Sequence, residues 1–510
     1  MQREAHPNVL IVLTWPRRLR RTHPDYTFDN MNYLSTRDAR PVPATYSFED
    51  VLLAGLAEDG GLFVPESLPK LDLAALRGLA GLPYPELAAR IMALFAGGAF
   101  SAAELRQLTA AAYGAFGHAA VVPLVQLDER LWLLELFHGP TLAFKDLALQ
   151  LIGRLFDAVL ARRQEHVTII GATSGDTGSA ALAACRDRAA LDIFMLYPHG
   201  RISEVQRRQM TTIGAANAHA IAIEGTFDDC QDLVKALFAD RALRQELNLS
   251  AVNSINFARV AAQIVYYIAA GLALGAASGS SGRAVSFSVP TGNFGNVYAG
   301  HLARALGLPI ERLVIGTNSN DILTRYVTMG EMTIGPVMAS LSPSMDIQVA
   351  SNFERLLFEL KGRSGAAVTG DLRAFREGGA LPADDQGWRR ARQLFAAHRV
   401  DDTLTLDTIA DTYQQTGLLI DPHTAVAVAA ARAESNEETA TPMIALATAH
   451  PAKFPEAVER ATGIRPPVPA ALADIMQRRE RITVLPNDVA GVAGFLRSHA
   501  RRARPNLGAA

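Results

Sequence analysis

Residues 135–146 read ELFHGPTLAFKD and place one lysine, Lys145, between an apolar run and a helix-forming sequence. Gly139 and Pro140 mark a turn, Leu142, Ala143 and Phe144 form a short apolar patch, and Leu147, Leu151, Ile152, Leu155 and Val159 recur at helical spacing. Lys145 is therefore expected at a loop-to-helix junction with apolar neighbours. Desolvation disfavours an ammonium ion and moves such a lysine toward the neutral amine that forms Schiff bases. Lys and Arg together number 49, yet the lysines are only Lys70, Lys145, Lys235, Lys361 and Lys453. A guanidinium stays protonated and cannot replace a lysine as an amine nucleophile, so imine chemistry in this chain has to use one of them. Lys235 and Lys361 read as solvated helix positions, and Lys70 lies in a proline-containing turn. Lys453, in AHPAKF, is the rival nearest a candidate site.

The 510 residues leave room for roughly three domains or subdomains of about 150 residues. With 49% hydrophobic and 20% charged residues the composition is that of an ordinary globular protein rather than a disordered one. A formal net charge of −2 provides no field for nucleic acid or an anionic membrane. No apolar run approaches the ~18 residues that span a bilayer. Cys185 and Cys230 form neither a disulfide framework nor a metal-ligand spacing, which suits a reducing, cytoplasmic setting without a bound metal. Residues 1–30 combine Arg17, Arg18, Arg20 and Arg21 with the apolar Val9–Leu13, in the wrong order for a secretion signal. They are expected to be a disordered extension, or sequence upstream of a start at Met31.

Beyond that extension the chain is expected to divide into a small N-terminal domain over 31–120, a catalytic region over 121–475 with large and small subdomains, and a C-terminal helical segment and tail over 476–510. Strands predicted at Val167–Ile170, Ile193–Tyr197, Ala220–Ile223, Val285–Val289, Leu313–Ile315 and Met443–Ala447 alternate with helices. That alternation predicts an α/β fold, with mainly parallel strands covered by helices on both faces. Predicted helices include Asp228–Leu247 and Gly387–Ala397. Asp421 and Pro422 read as the cap and first residue of a further helix. Two glycine-bearing loops follow strands and precede helices: GATSGDTG at 171–178 and GNFGN at 292–296. Either loop alone is as well explained by a structural turn or a helix cap as by an anion site. Together, at the carboxyl ends of parallel strands and with a desolvated lysine, they point to a ligand site.

The strings ELFHGPTLAFKDLALQ, GATSGDTGSAAL, SINFARV, VPTGNFGNVYAG, NSNDIL, SPSMDIQVASNFERLL and ATAHPAKF resemble the threonine synthase family in its longer bacterial and fungal form. MNYLSTRDA and EDGGLFVPESLP resemble the opening of that family, and the resemblance runs from Met31 to about Ile475. It implies a pyridoxal 5'-phosphate enzyme of the tryptophan-synthase-β-like fold (fold type II). The implied reaction converts O-phospho-L-homoserine and water to L-threonine and phosphate. By the same resemblance, Lys145 would hold the cofactor as an internal aldimine and shuttle protons. Gly292, Asn293, Phe294, Gly295 and Asn296 would cup the cofactor phosphate, and Thr448 would face the pyridine nitrogen. Thr173, Ser174, Gly175, Asp176 and Thr177 would bind the substrate carboxylate. Arg259 or Arg355 would bind the substrate phosphate, with a structural arginine as the competing reading of each. The expected partner is the small-molecule substrate, with no nucleic acid or membrane, in a monomer or homodimer. Rival readings are a phospho-lyase of the same fold releasing 2-oxobutanoate, and a catalytically retired binding protein.

Overall fold

The computed structural model describes residues 31–251, 254–279, 282–435 and 441–501, so the expectation for residues 1–30 lies outside the described residues. Two sheets organise the chain. The larger has six strands in the order Phe395–Arg399, Ile310–Thr317, Val285–Pro290, Met443–Ala447, Leu131–Glu135 and Leu124–Gln126. All neighbours are parallel except the last pair, which is antiparallel. The smaller has five parallel strands in the order Thr483–Pro486, Ala218–Glu224, Leu191–Pro198, Val167–Ala172 and Leu249–Ser250. Every residue of Val285–Pro290, Leu191–Pro198 and Met443–Ala447 is buried, as parallel strands covered on both faces require.

In the larger sheet Met443 pairs with Leu131 and Ala447 with Glu135, so the central strand ends immediately before Thr448. The Lys145 helix, Lys145–Arg163, packs its Leu147, Leu151, Leu155 and Val159 face into the main core. Ahead of it, Tyr33–Ser35 and Phe63–Pro65 form an antiparallel hairpin, followed by the helices Leu73–Leu79, Tyr84–Ala96 and Ala102–Tyr113. Asp421 accepts from the amides of His423 and Thr424, both at 3.0 Å, and so opens the helix Pro422–Glu434 as its sequence signals.

The structure differs from the sequence expectations at three elements. The predicted helix over Gly387–Ala397 ends at Arg392, and Phe395–Arg399 becomes an edge strand beside Ile310–Thr317. Sheet hydrogen bonds and burial of Phe395 override the helical spacing of Trp388, Ala391 and Phe395 there. The helix over Asp228–Leu247 is two helices, because the Asp240 carboxylate accepts the Leu243 amide at 3.0 Å and starts a new one. Residues 476–501 are not helical throughout: Thr483–Pro486 extends the smaller sheet, and Val489–His499 buries Val492 and Leu496 against the core of that sheet.

Candidate active site

Lys145 opens its helix without a side-chain cap, and a backbone bond ties the residue before it to the central strand: the Phe144 amide donates to Thr448 O at 2.8 Å. Its Nζ lies 5.1 Å from the centre of the Phe144 ring and 3.5 Å from Asp176 Oδ2. Burial lowers the Lys145 pKa; Asp176 opposes that shift, while the cations Lys453 and Arg259 add to it. This is the environment of a reactive amine. Asp146, on the same turn, accepts the Thr141 amide at 2.7 Å and the Thr141 hydroxyl at 2.8 Å, which fixes the loop that leads into Lys145.

Gly175 at the start of the helix Asp176–Cys185 has φ 134°, a conformation open to glycine, and a Cβ there would lie 2.4 Å from the Gln206 side chain. The loop does two things that the sequence reading did not assign to it. The Thr173 hydroxyl is buried and accepts the amides of Gly175 and Gly178 at 3.0 and 2.8 Å, so it holds the turn rather than facing a ligand. Asp176 is a buried carboxylate between Lys145 and Lys453, so its side chain is engaged by those two lysines. Burial raises its pKa, but the two ammonium groups more than offset this and hold it well below the usual carboxylate range. Ser174 is exposed and Thr177 is half-buried, at the mouth of the same turn.

On the other side of the site, Phe294 adopts φ 65° and the helix Gly295–Leu306 begins with no side-chain cap. Phe294 is held in that uncommon conformation by ring contacts to Phe353 and Phe395, at 5.4 and 5.8 Å between centroids. The Asn293 side chain is occupied: its Oδ1 accepts the Ser351 amide at 2.6 Å and its Nδ2 donates to the Ser254 hydroxyl. A Cβ on Gly292 would meet Ser344 O at 2.9 Å, so this position has no room for a side chain. Asn296 Oδ1 accepts from Tyr266 and Tyr267, at 2.5 and 2.9 Å, which turns its Nδ2 into a buried donor without a partner. An uncapped helix N-terminus with an orphaned donor beside it fits a bound phosphate.

Of the two candidate arginines, the structure separates one from the other. Arg355 is fully buried; it donates to Phe63 O at 2.9 Å, to Ile255 O at 2.5 Å and to Asn352 Oδ1, and Asn352 in turn donates to Asn293 O at 3.0 Å. Arg355 therefore braces the 292–296 loop, which corrects its assignment to the substrate phosphate. Arg259 is 3% exposed, its Nε and Nη1 have no hydrogen-bond partner among the described residues, and burial pulls its pKa down to about 10. A buried cation with unused donors is costly unless an anion arrives. Lys453, the rival lysine of the sequence, stands beside Asp176; residues the sequence did not single out are Gln206 and Gln209, which hold Asp176 and Lys453, and Asn352 with Ser254, which fix Asn293.

A lysine of lowered pKa, two strand-end loops and an uncapped helix N-terminus on a parallel sheet fit a pyridoxal-phosphate-dependent enzyme of fold type II. Residues 115–388 match the family model described as "Pyridoxal-phosphate dependent enzyme", residues 32–113 match "Threonine synthase N terminus" and residues 424–496 match "Threonine synthase, C-terminal". The chain belongs to the threonine synthase family. It is 55% identical to a threonine synthase of Pseudomonas aeruginosa over 476 residues, covering 93% of this chain and 100% of that one. The PLP-bound threonine synthase structure from Brucella melitensis superposes with a TM-score of 0.89 at 49% identity, over 92% of this chain and all of that one. The yeast threonine synthase structure gives 0.87 at 39% identity, over 92% and 98%. The match of residues 424–496 carries the family likeness past Ile475, where the sequence strings end. Among the described residues no helix is long and apolar enough to cross a membrane, and no cluster of side chains could hold a metal ion.

Proposed function

We propose that this chain converts O-phospho-L-homoserine and water to L-threonine and phosphate. The observation that carries the reading is the pairing, in one site, of an amine of lowered pKa at Lys145 with the unpartnered buried guanidinium of Arg259. Bound pyridoxal phosphate supplies the electron sink that acidifies the substrate's Cα and Cβ hydrogens. Its phosphate would lie on the amides of Gly292–Asn296 and on Asn296 Nδ2, and its ring nitrogen would face the Thr448 hydroxyl.

Lys145 would hold the cofactor and, as a free amine, would take the proton from Cα and then from Cβ of the substrate. Asp176 stands beside it as counter-ion, so proton gain and loss at Nζ take place against a fixed charge. The substrate carboxylate is assigned to the turn at Ser174–Thr177, through its backbone amides and the Ser174 and Thr177 hydroxyls. Arg259 is assigned to the substrate phosphate; once that phosphate has left Cγ, Cγ takes a proton and water adds at Cβ. Each chain holds all of these residues, so the site is complete in a monomer or in either half of a homodimer. Buried, unpaired Cys185 and Cys230 support a cytoplasmic location.

The test is incubation with O-phospho-L-homoserine while phosphate, threonine and 2-oxobutanoate are measured together. Equal phosphate and threonine is the expected result. Phosphate matched by 2-oxobutanoate would replace the reading with that of a phospho-lyase.

A further inference from the structure

The site contains a second lysine that the proposed reaction does not use. Lys453 lies in the short turn Pro451–Lys453 after the central strand and has no exposed surface. Its ammonium donates to Thr141 O at 2.7 Å and Gln209 Oε1 at 3.1 Å, and lies 2.8 Å from Asp176 Oδ1. An ammonium has three hydrogens to donate, and here each has an acceptor. Those acceptors come from the loop leading to Lys145, from the helix Glu204–Thr211 and from the first turn of Asp176–Cys185. Gln206 Nε2 also donates to Asp176 Oδ1, at 2.9 Å. The carboxylate thus has one oxygen held by Lys453 and Gln206, and the other facing Lys145 at the longer distance of 3.5 Å.

We propose that Lys453 is a positioning residue: by holding Asp176 Oδ1 it fixes Oδ2 against Lys145 and takes up part of the carboxylate's charge. The proposal rests on Lys145 being the cofactor-linked residue. The charged groups facing Lys145 are Asp176, Lys453 and Arg259, while Asp146 and His450 also lie within electrostatic reach of Lys453. With Lys453 uncharged, the full charge of Asp176 acts on Lys145 and favours its protonated form. With Asp176 uncharged, Lys145 faces two cations and the neutral form gains. Opposite signs for the two substitutions are a signature that a mere packing defect does not produce.

The experiment uses holoenzyme of the wild type, Lys453→Met, Asp176→Asn and the double variant. The readouts are the pH midpoint of the visible absorption of the lysine-bound cofactor and the acidic limb of the kcat/KM profile. The expected result for Lys453→Met is an upward shift of about one pH unit, a tenfold change in proton affinity. Asp176→Asn is expected to shift downward, with the double variant matching it because Lys453 acts through that carboxylate; a double variant well above Asp176→Asn would show direct action of Lys453 and overturn the proposal. An unchanged or lowered midpoint in Lys453→Met would overturn the proposal. If Lys453→Met does not fold, Lys453→Gln, which removes the charge and keeps donors for Thr141 O and Asp176 Oδ1, decides: an upward shift supports the proposal and an unchanged or lowered midpoint overturns it. Absence of any visible band in the wild type would overturn the Lys145 assignment itself, and the proposal with it.

Discussion

The Thr448 carbonyl accepts the amide of Phe144 at 2.8 Å, so the residue before Lys145 hangs from the end of the central strand. Because this bond is made by the backbone, the Thr448 side chain can be changed without releasing Lys145. Thr448→Val is expected to keep its melting temperature and to weaken cofactor binding by about 1 kcal/mol, the net value of one neutral hydrogen bond. Cofactor titration followed by absorbance checks this, and an unchanged affinity would reduce Thr448 to a strand-end position.

Arg259 and Arg355 are both buried, but two nitrogens of Arg259 lack a partner among the described residues, whereas every guanidinium nitrogen of Arg355 is hydrogen-bonded. Arg259→Met is expected to leave thermal stability unchanged or raised, since it removes an unpaired buried cation, while turnover of the phosphorylated substrate is lost. Arg355→Met is expected to destabilise the fold by about 3 kcal/mol, because it removes the donors shared by the hairpin, the Ile255 loop and Asn352. Denaturant midpoints and kcat/KM measured on both variants separate the two roles.

His450 follows the site strand, and its Nδ1 accepts the Ala452 amide at 3.1 Å, which requires an unprotonated nitrogen. Burial, then the nearby His138, lowers its pKa from 6.5 to about 4. The folded state therefore binds this proton less readily than the unfolded chain. The contribution is fully present above pH 6.5 and is lost as the pH falls from 6.5 toward 4. His450→Asn keeps an acceptor for the Ala452 amide and removes the titration. Between pH 7.5 and pH 5 it is expected to lose about 1 kcal/mol less stability than the wild type, measured by urea unfolding at both values.

Much of this architecture was legible because its signals are local. Asp421 with Pro422 marks a helix start wherever it occurs, and the apolar run Met443–Ala447 is a strand with the boundaries that its composition suggests. Lys145 stood out because the chain has so few lysines. What could not be read was which distant residue each polar group would meet. Asp176 lies in a loop that looks built for anions, and only the fold brings Lys453, far along the chain, to its carboxylate. Arg259 and Arg355 look alike in sequence, and burial alone does not separate them; their hydrogen-bond partners do. Phe395–Arg399 and Thr483–Pro486 are edge strands whose pairing energy comes from the neighbouring strand, so their own sequences carry little of the signal.

Lys145→Ala is expected to abolish both the visible cofactor band and turnover. Lys453 does not take its place, because its amine has no exposed surface and is tied to Thr141, Gln209 and Asp176. Absorbance of the purified variant after incubation with pyridoxal phosphate checks this, and a retained band would contradict it.

The most direct test of the site is to reduce the holoenzyme with borohydride, digest it and locate the pyridoxyl group by mass spectrometry. The account predicts a single modification, on the peptide that carries Lys145. Modification of Lys453, or of any of the remaining lysines in place of Lys145, would contradict it.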